Sequence, residues 1–372
     1  MLKNRKRNPL NEKSEELYRA SEAKLVWIRF KKNKLAVTGM IILIILYITG
    51  MFCEFFAPYN PNKLNAAYVY APPQKIKFIR DGKLVKPYVY GYEMGRDPVT
   101  LERIYTEDTE KVYPVKLLVR GDPYKLWGIW ESNLHFLGTE GGTFFIFGAD
   151  RMGRDVLSRI IYGARISTTI GLVGVFISLV VGTILGGISG YYGGAVDFTI
   201  QRVIEVIRSI PTIPLWMALA AALPRYMSQI QRYFAITVIL SLVGWTDLSR
   251  VVRSRFITLK NEDFVIAARL AGARESRVIF KHMLPSLTSH MIVSITLSIP
   301  GMILGETGLS FLGLGLQSPT ISWGVLLQEA QNIRTVAMHS WLILPALFVI
   351  ITVLCFNFVG DGLRDAADPY KI

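Results

Sequence analysis

Few residues of this chain could do covalent chemistry. Among 372 residues there are two cysteines, Cys53 and Cys355, and four histidines. Both cysteines lie inside apolar blocks, which excludes a disulfide framework and a Cys-based zinc site. No G-x-x-x-x-G-K-[ST] loop occurs, so ATP cannot be held by that route. The sharpest ionisable residue is Glu306, set in an apolar stretch. An ionised side chain at the middle of a bilayer costs about 2.5–3.5 kcal/mol on insertion scales. Glu306 must therefore face a wet cavity or a protein interior, where a hydrogen-bonded carboxyl glues helices together. The second constellation lies between Asn261 and Pro285. Asn261 is a good N-cap, Glu262 and Asp263 suit the first turn, and Gly272 ends a helix carrying Ala267, Ala268 and Ala271. A basic helix at about 275–283 should stop at Leu284-Pro285. Alanines keep such a surface low, as docking into a groove on another protein requires; an ordinary interhelical loop would look similar. Arg202, Glu205 and Arg208, three apart, share a helix face and can pair. Val156, Leu157, Ile160 and Ile161 oppose Arg154, Asp155, Ser158 and Arg159, the pattern of an interfacial amphipathic helix.

The distribution of charge locates the elements that hold these residues. Of 70 charged residues, 55 sit in three blocks, 1–34, 58–165 and 247–285, and the other 191 residues carry 15. Long charge-poor blocks exclude a disordered chain and argue against one soluble enzyme. They point to lipid as part of the solvent. Leu35–Cys53 is uncharged and long enough to span a bilayer. The preceding 34 residues hold 11 Lys/Arg and four Glu. That is too long and polar for a cleaved leader, so the first span reads as permanent with a cytoplasmic N-terminus. Ile166–Val196 follows, with Gly171, Gly174, Gly182, Gly186, Gly187 and Gly190 allowing close helix approach. Further spans are expected at 198–223, which Pro211 and Pro214 interrupt, at 233–249, within 286–316 and within 338–360. Six spans place both termini and segment 247–285 in the cytoplasm. That segment carries eight Lys/Arg, against two and one in the outer loops 224–232 and 317–340, as the positive-inside rule demands. The net charge of +14 therefore reads as orientation and docking charge and not as a nucleic-acid footprint.

Residues 58–147 read as a β-rich extracytoplasmic insert. Lys75–Arg80 and Lys83–Tyr90 flank Asp81-Gly82, a preferred hairpin turn. Val112–Arg120 and Thr143–Phe147 are further strand candidates. Tyr68, Tyr70, Tyr88, Tyr90, Tyr92, Trp127 and Trp130 recur through it. The insert is expected to pack on its own core and on the membrane surface; a platform for a soluble partner is the sharper alternative. The expected fold class is an all-α polytopic membrane protein with six transmembrane helices and this insert between the first two. Its segments are 1–34, 35–57, 58–147 and a 148–372 core carrying loop 247–285.

Ala267-Ala268-x3-Gly272, then Ile279 and Leu284-Pro285, resembles the EAA coupling loop of ABC importer permeases, with Ile266 in place of the motif's glutamate. The run from Asp263 through Ala273, with His282, is similar to the C-type permease subunit of dipeptide, oligopeptide and nickel importers. Gly153–Arg159, Tyr162–Ser167, Glu306–Gly315 with Pro319 and Ser322–Gly324, and Phe356-Asn357 with Gly360–Asp365 and Asp368-Pro369 resemble the same family. Ala149 replaces the family's usual threonine, and the insert is longer than in the typical member. The resemblance implies the type I (MetI-like) fold and a bacterial or archaeal cell membrane. It implies a coupling site at Asp263, Ala267, Ala268, Gly272, Ile279, Leu284 and Pro285, and makes Glu306 a pathway or gate candidate expected at the subunit interface. Arg250 and Arg253 resemble the family's basic pair, and Asp361, Arg364 and Asp365 close the last span. The implied partners are a second homologous permease, two ATP-binding subunits holding ATP and Mg, an extracytoplasmic substrate-binding protein and the lipid bilayer. The implied cargo is peptides, with oligosaccharides or nickel as alternatives on the same scaffold. An ion-coupled secondary transporter or a membrane-anchored receptor would be the rival classes. The first would show paired internal repeats, and the second would need neither six spans nor the loop.

Overall fold

Long apolar runs become helices here, because in lipid each backbone polar group must find its partner within its own segment. The computed structural model describes residues 22–80, 82–96, 98, 103–224 and 226–368. Residues 1–21, Asp81 of the expected hairpin turn, Arg225 and Pro369 lie outside the described residues. The principal helices are α1 (Glu22–Phe30), α2 (Lys34–Met51), α3 (Val156–Tyr192), α4 (Gly194–Ser209), α5 (Thr212–Ala221), α6 (Gln229–Leu259), α7 (Asp263–Leu270), α8 (Thr288–Phe311), α9 (Trp323–Leu327) and α10 (Leu344–Ala367). Five helical segments are long and apolar enough to cross a membrane: α2, α3, α6, α8 and Ser340–Ala367, which contains α10. The expected third span is instead the pair α4 and α5, bent by 83°, so it counts as a sixth only if the broken pair is one span. Pro211 causes the break. A residue before proline is pushed out of the helical region, and Ile210 sits at φ −91, ψ 129. Pro214 lies in the first turn of α5, where its missing N–H costs little.

The helix α3 is the axis of the bundle. Its glycines remove the side chains that would hold α6 away. A Cβ on Gly182 would lie 2.9 Å from the Trp245 carbonyl oxygen, and one on Gly190 2.7 Å from that of Arg253. Gly186 between them meets Ser249 in the same way. This small-xxx-small seam lets backbones touch and gains van der Waals contact where lipid supplies no hydrophobic drive. Around it, Ile160 and Ile170 of α3, Ile236 and Leu240 of α6, Ile303 of α8 and Trp323 of α9 form the main core. The expected interfacial helix at 154–161 is corrected: Val156–Ile161 are the first turns of the 37-residue α3. Arg154, Asp155, Ser158 and Arg159 are all buried, so the polar face meets protein, not water.

Between α2 and α3 the chain forms a small antiparallel sheet, ordered β1 (Lys77–Arg80), β2 (Lys83–Arg96), β3 (Arg103–Leu126) and β4 (Trp130–Thr139). Registers such as Tyr88↔Pro114 and Leu117↔Leu137 fix it. Gly82 takes the left-handed conformation, φ +75, that the first hairpin needs. Thr143–Phe147 is not a strand. Its Phe145 N–H donates to the Gln74 side chain at 2.6 Å, and Phe144 and Phe145 plug the space beneath the sheet. The sheet sits at the end of the bundle where α2 stops and α3 starts. Loop 260–287 sits at the opposite end, beside the last residues of α3.

Candidate functional site

The loop is built as an anchored face and a free face. The N-cap position of α7 is Glu262, extended at φ −74, ψ 143, with no side-chain cap bond; Asn261, the expected cap, does not serve. Its other end closes in a Schellman motif. Gly272 sits at φ +77, its N–H donates to Arg269 O at 2.9 Å, and Ala273 N–H reaches Ala268 O at 3.1 Å. The next helical run does not stop at Leu284-Pro285 as expected. It opens into a π-helical stretch at Val278–Met283 and passes through Pro285 to Ser286. Proline removes one i→i−4 bond, and a wider turn accommodates that loss.

Val265, Val278, Met283 and Leu287 are buried against Tyr191 of α3 and Phe256 of α6, with Ala268 and Ile279 packed around them. Lys260 Nζ donates to Tyr191 O at 2.9 Å, the Arg269 guanidinium lies 5.2 Å over the Tyr191 ring, and Tyr192 OH donates to Glu275 at 3.1 Å. Asp263, Ala267, Gly272 and Pro285 are exposed and Leu284 is half-buried. The seven expected site residues therefore divide: Ala268 and Ile279 join the anchor, and Asp263, Ala267 and Gly272 share the free face. Three residues on that face were not singled out as site residues: Phe264, Ile266 and above all Leu270, which is 85% exposed. Exposed apolar residues beside a helix-ending glycine were the available signal.

The basic pair before the loop also divides. Arg250 is exposed. Arg253 instead clamps Asp197 of α4 with two bonds of 2.5 and 2.6 Å, and Ser189 Oγ donates to the same carboxylate at 2.5 Å. The clamp fixes the α3–α4 corner to α6. Arg202 pairs with Glu205 at 2.7 Å as expected, whereas Arg208 pairs with Asp247 of α6.

Glu306 has no exposed surface. Ser310 and Ser322 donate to Oε1 at 2.8 and 2.7 Å, and Ser167 donates to Oε2 at 3.2 Å. Each of these hydroxyls also accepts a backbone N–H, from Leu316, Val325 and Trp323 respectively. Those amides turn each hydroxyl proton toward the carboxylate, which can only accept when ionised. One side chain thus joins α3, α8 and the start of α9. The expectation that Glu306 faces a subunit interface is not met: this chain's own elements enclose it.

A second buried cluster escaped the sequence reading. Asp150 accepts from Arg154 Nε at 2.7 Å and from Arg159, and its Oδ1 accepts the amides of Met152 and Arg154. Glu329 lies 3.4 Å from Arg151 and 3.5 Å from Arg154. The cluster therefore ties the start of α3 to the segment before α10. Burial pushes the Glu329 carboxyl up, and the Asp150 charge adds to this against the nearby arginines. Burial likewise pushes Asp155 to about 7, against its hydrogen bonds from Ser158. Arg154 and Arg159 looked like part of a solvated helix face because Glu329, which faces both, is remote in sequence. No group of three or more His, Cys, Asp or Glu side chains that could hold a metal occurs among the described residues.

Buried ionic and serine hubs inside a bundle of long apolar helices, with an exposed apolar face at one end, fit a polytopic membrane protein. Residues 178–371 match the family described as "Binding-protein-dependent transport system inner membrane component", and residues 21–73 match the "N-terminal TM domain of oligopeptide transport permease C". The chain belongs to this permease family and is a transporter subunit, with ATPase activity on separate subunits. It is 41% identical to the oligopeptide transport system permease protein OppC of Haemophilus influenzae, over 61% of this chain and 70% of that one. It is 33% identical to the dipeptide transport system permease protein DppC of Lactococcus lactis, over 92% and 89% of the two chains. A chain of the inward-facing MetNI methionine ABC transporter aligns with 56% of this chain and 97% of its own at 18% identity and TM-score 0.44.

Proposed function

We propose that this chain is one half of the translocation pathway of an ATP-driven peptide importer of the type I, MetI-like fold. A second homologous permease supplies the other half. Two ATP-binding subunits, which hold ATP and Mg, drive it, and an extracytoplasmic binding protein delivers dipeptides or oligopeptides. In this reading both termini and loop 247–285 are cytoplasmic, insert 58–147 lies outside, and residues 148–372 form the permease core of a bacterial or archaeal cell membrane. The names of the relatives support the peptide cargo.

The observation that carries the coupling role is the division of the loop. An ATPase closing on the free face of α7, at Asp263, Ala267, Leu270 and Gly272, pushes a body anchored through Ile279, Leu284 and Pro285 to α8, and through Tyr191 to α3. Glu306 acts in the pathway as the pin of the α3–α8–α9 junction, so that a gate built there moves as one piece.

The test is copurification with the ATPase subunits, followed by ATP hydrolysis in nanodiscs with the loaded binding protein. Leu270→Asp places a charge in the dock and should cut copurification about tenfold or more, the scale of a buried unpaired charge. Gly272→Val, strained at φ +77, should do the same. Unchanged copurification in both variants sinks the docking assignment. Stimulation by an oligosaccharide or Ni(II) and not by peptide sinks the cargo assignment alone.

A further inference from the structure

The β3–β4 hairpin holds an unexpected residue at its tightest point. Leu126–Ile129 form a turn closed by Ile129 N–H to Leu126 O at 3.0 Å, with Trp127 at φ +50 and Gly128 at φ +75. Two left-handed central residues make a type I′ turn, whose first position suits Asn, Asp or Gly. A bulky residue there is a conformational outlier. Such strain persists only where the surroundings hold it, and it gathers at places with a task.

The surroundings are the end of a membrane-spanning helix. The Trp127 indole N–H donates to Met51 O at 2.7 Å, on the last residue of α2, and that carbonyl also accepts from Arg165 at 2.8 Å. The last carbonyls of a helix lack partners within it, so the indole caps α2. The Trp127 ring lies 5.1 Å from Phe52 and 5.9 Å from Trp130, and Phe136 lies 5.3 Å from Phe56. Despite these contacts the tip is open: Trp127 is 42%, Trp130 59% and Ile129 70% exposed. The open patch runs without a break into the exposed side of α2, at Met51, Ile48, Ile45 and Ile44.

We propose that this hairpin tip is a membrane anchor, with Trp127, Ile129 and Trp130 seated in the headgroup layer where α2 leaves the bilayer at Met51. The depth follows from geometry: a side chain bonded to the last carbonyl of a span sits at the interface. The residue types follow from chemistry, since an indole presents an apolar ring to acyl chains and an N–H to the polar layer. Lys125 and Glu131, paired at 2.9 Å, flank the tip on the strands behind it. Continuity with the lipid-facing side of α2 selects the bilayer over a soluble protein. The inference rests only on α2 crossing the membrane, not on the cargo.

The test uses the full-length chain in phosphatidylcholine nanodiscs with no other transport protein present. Spin labels are placed at Ile129→Cys and, as a lipid reference, Ile45→Cys; Cys53 and Cys355 are buried. Oxygen is expected to collide with the label at 129 roughly twofold or more in excess of a water-soluble nickel chelate, with a larger excess at 45, as for an interfacial site beside an embedded one. A label at 129 that the chelate reaches as freely as oxygen does overturns the anchor. If the label at 45 still reports lipid, the span reading survives that failure. Trp130→Phe, on an exposed side chain, should reduce quenching of tryptophan emission by brominated lipid; unchanged quenching also counts against the anchor.

Discussion

Glu306 shows what one side chain can organise. Its carboxylate accepts three serine hydroxyls that themselves accept backbone amides, from Leu316 in the loop after α8 and from Trp323 and Val325 in the first turn of α9. Glu306→Leu would leave three buried donors without an acceptor, at about 1–3 kcal/mol each. We expect it to lower the thermal unfolding temperature in detergent sharply, while Glu306→Gln, which keeps a carbonyl acceptor, loses much less. Equal loss in both would mean the hub does not hold the junction. Asp155 gives the pH test. Its carboxyl titrates near 7 when folded and near 3.9 when unfolded. The folded state therefore binds a proton that the unfolded state releases. Its contribution is complete below about pH 4 and is lost as pH rises through about 7. Asp155→Asn should flatten the fall in unfolding temperature between pH 5 and 8 and raise it at pH 8; an unchanged slope would assign the pH dependence elsewhere, Glu329 first. The sequence made Glu306 legible as an anomaly, because one acid among apolar residues demands a partner. It could not name the partners, since Ser167 is 139 positions away and three-dimensional packing alone brings it near. Asp155 read as surface although its partner Ser158 is only three residues away, because its burial comes from tertiary packing.

At the scale of elements, local rules worked where the chain decides locally. Gly272 ends α7 with the backbone its lack of a side chain permits, and Pro211 breaks α4 from α5. They failed where tertiary contacts decide. Thr143–Phe147 has a strand's composition, but Gln74 takes the amide that a neighbouring strand would need. Leu284-Pro285 has a helix stop's composition, but burial of Met283 and Leu287 keeps the run helical. The α3–α6 seam lies between: its glycines were visible as a close-approach surface, its partner helix was not. Gly186→Leu places a branched side chain against Ser249 and Val252 of α6. We expect overpacking of about 1–3 kcal/mol or more, read as a lower unfolding temperature and loss of a disulfide engineered between the two helices. Gly193→Leu, with no atom within 4 Å of its Cβ, is the matched control for added bulk, although its own φ of +69 adds local strain.

The whole molecule is polarised along α3. At 1.5 Å per residue its 37 residues measure about 55 Å, well beyond the roughly 30 Å of a hydrocarbon core. One end is fixed by the Asp150–Arg154–Arg159–Glu329 cluster, and the other meets loop 260–287 at Tyr191 and Tyr192. If the helix is one continuous body, amide hydrogen exchange in nanodiscs should be slow from Gly163 to Gly190 with no fast segment between; a fast-exchanging break at the glycines would contradict it. An unbroken helix of this length is a lever. Each degree of tilt about one end carries the other by about 1 Å. With the arginine end held as the pivot, a motor that moved Tyr191 by a few ångströms would turn the buried ionic cluster through only a few degrees, so a coarse stroke at one surface would arrive at the other as a fine rotation.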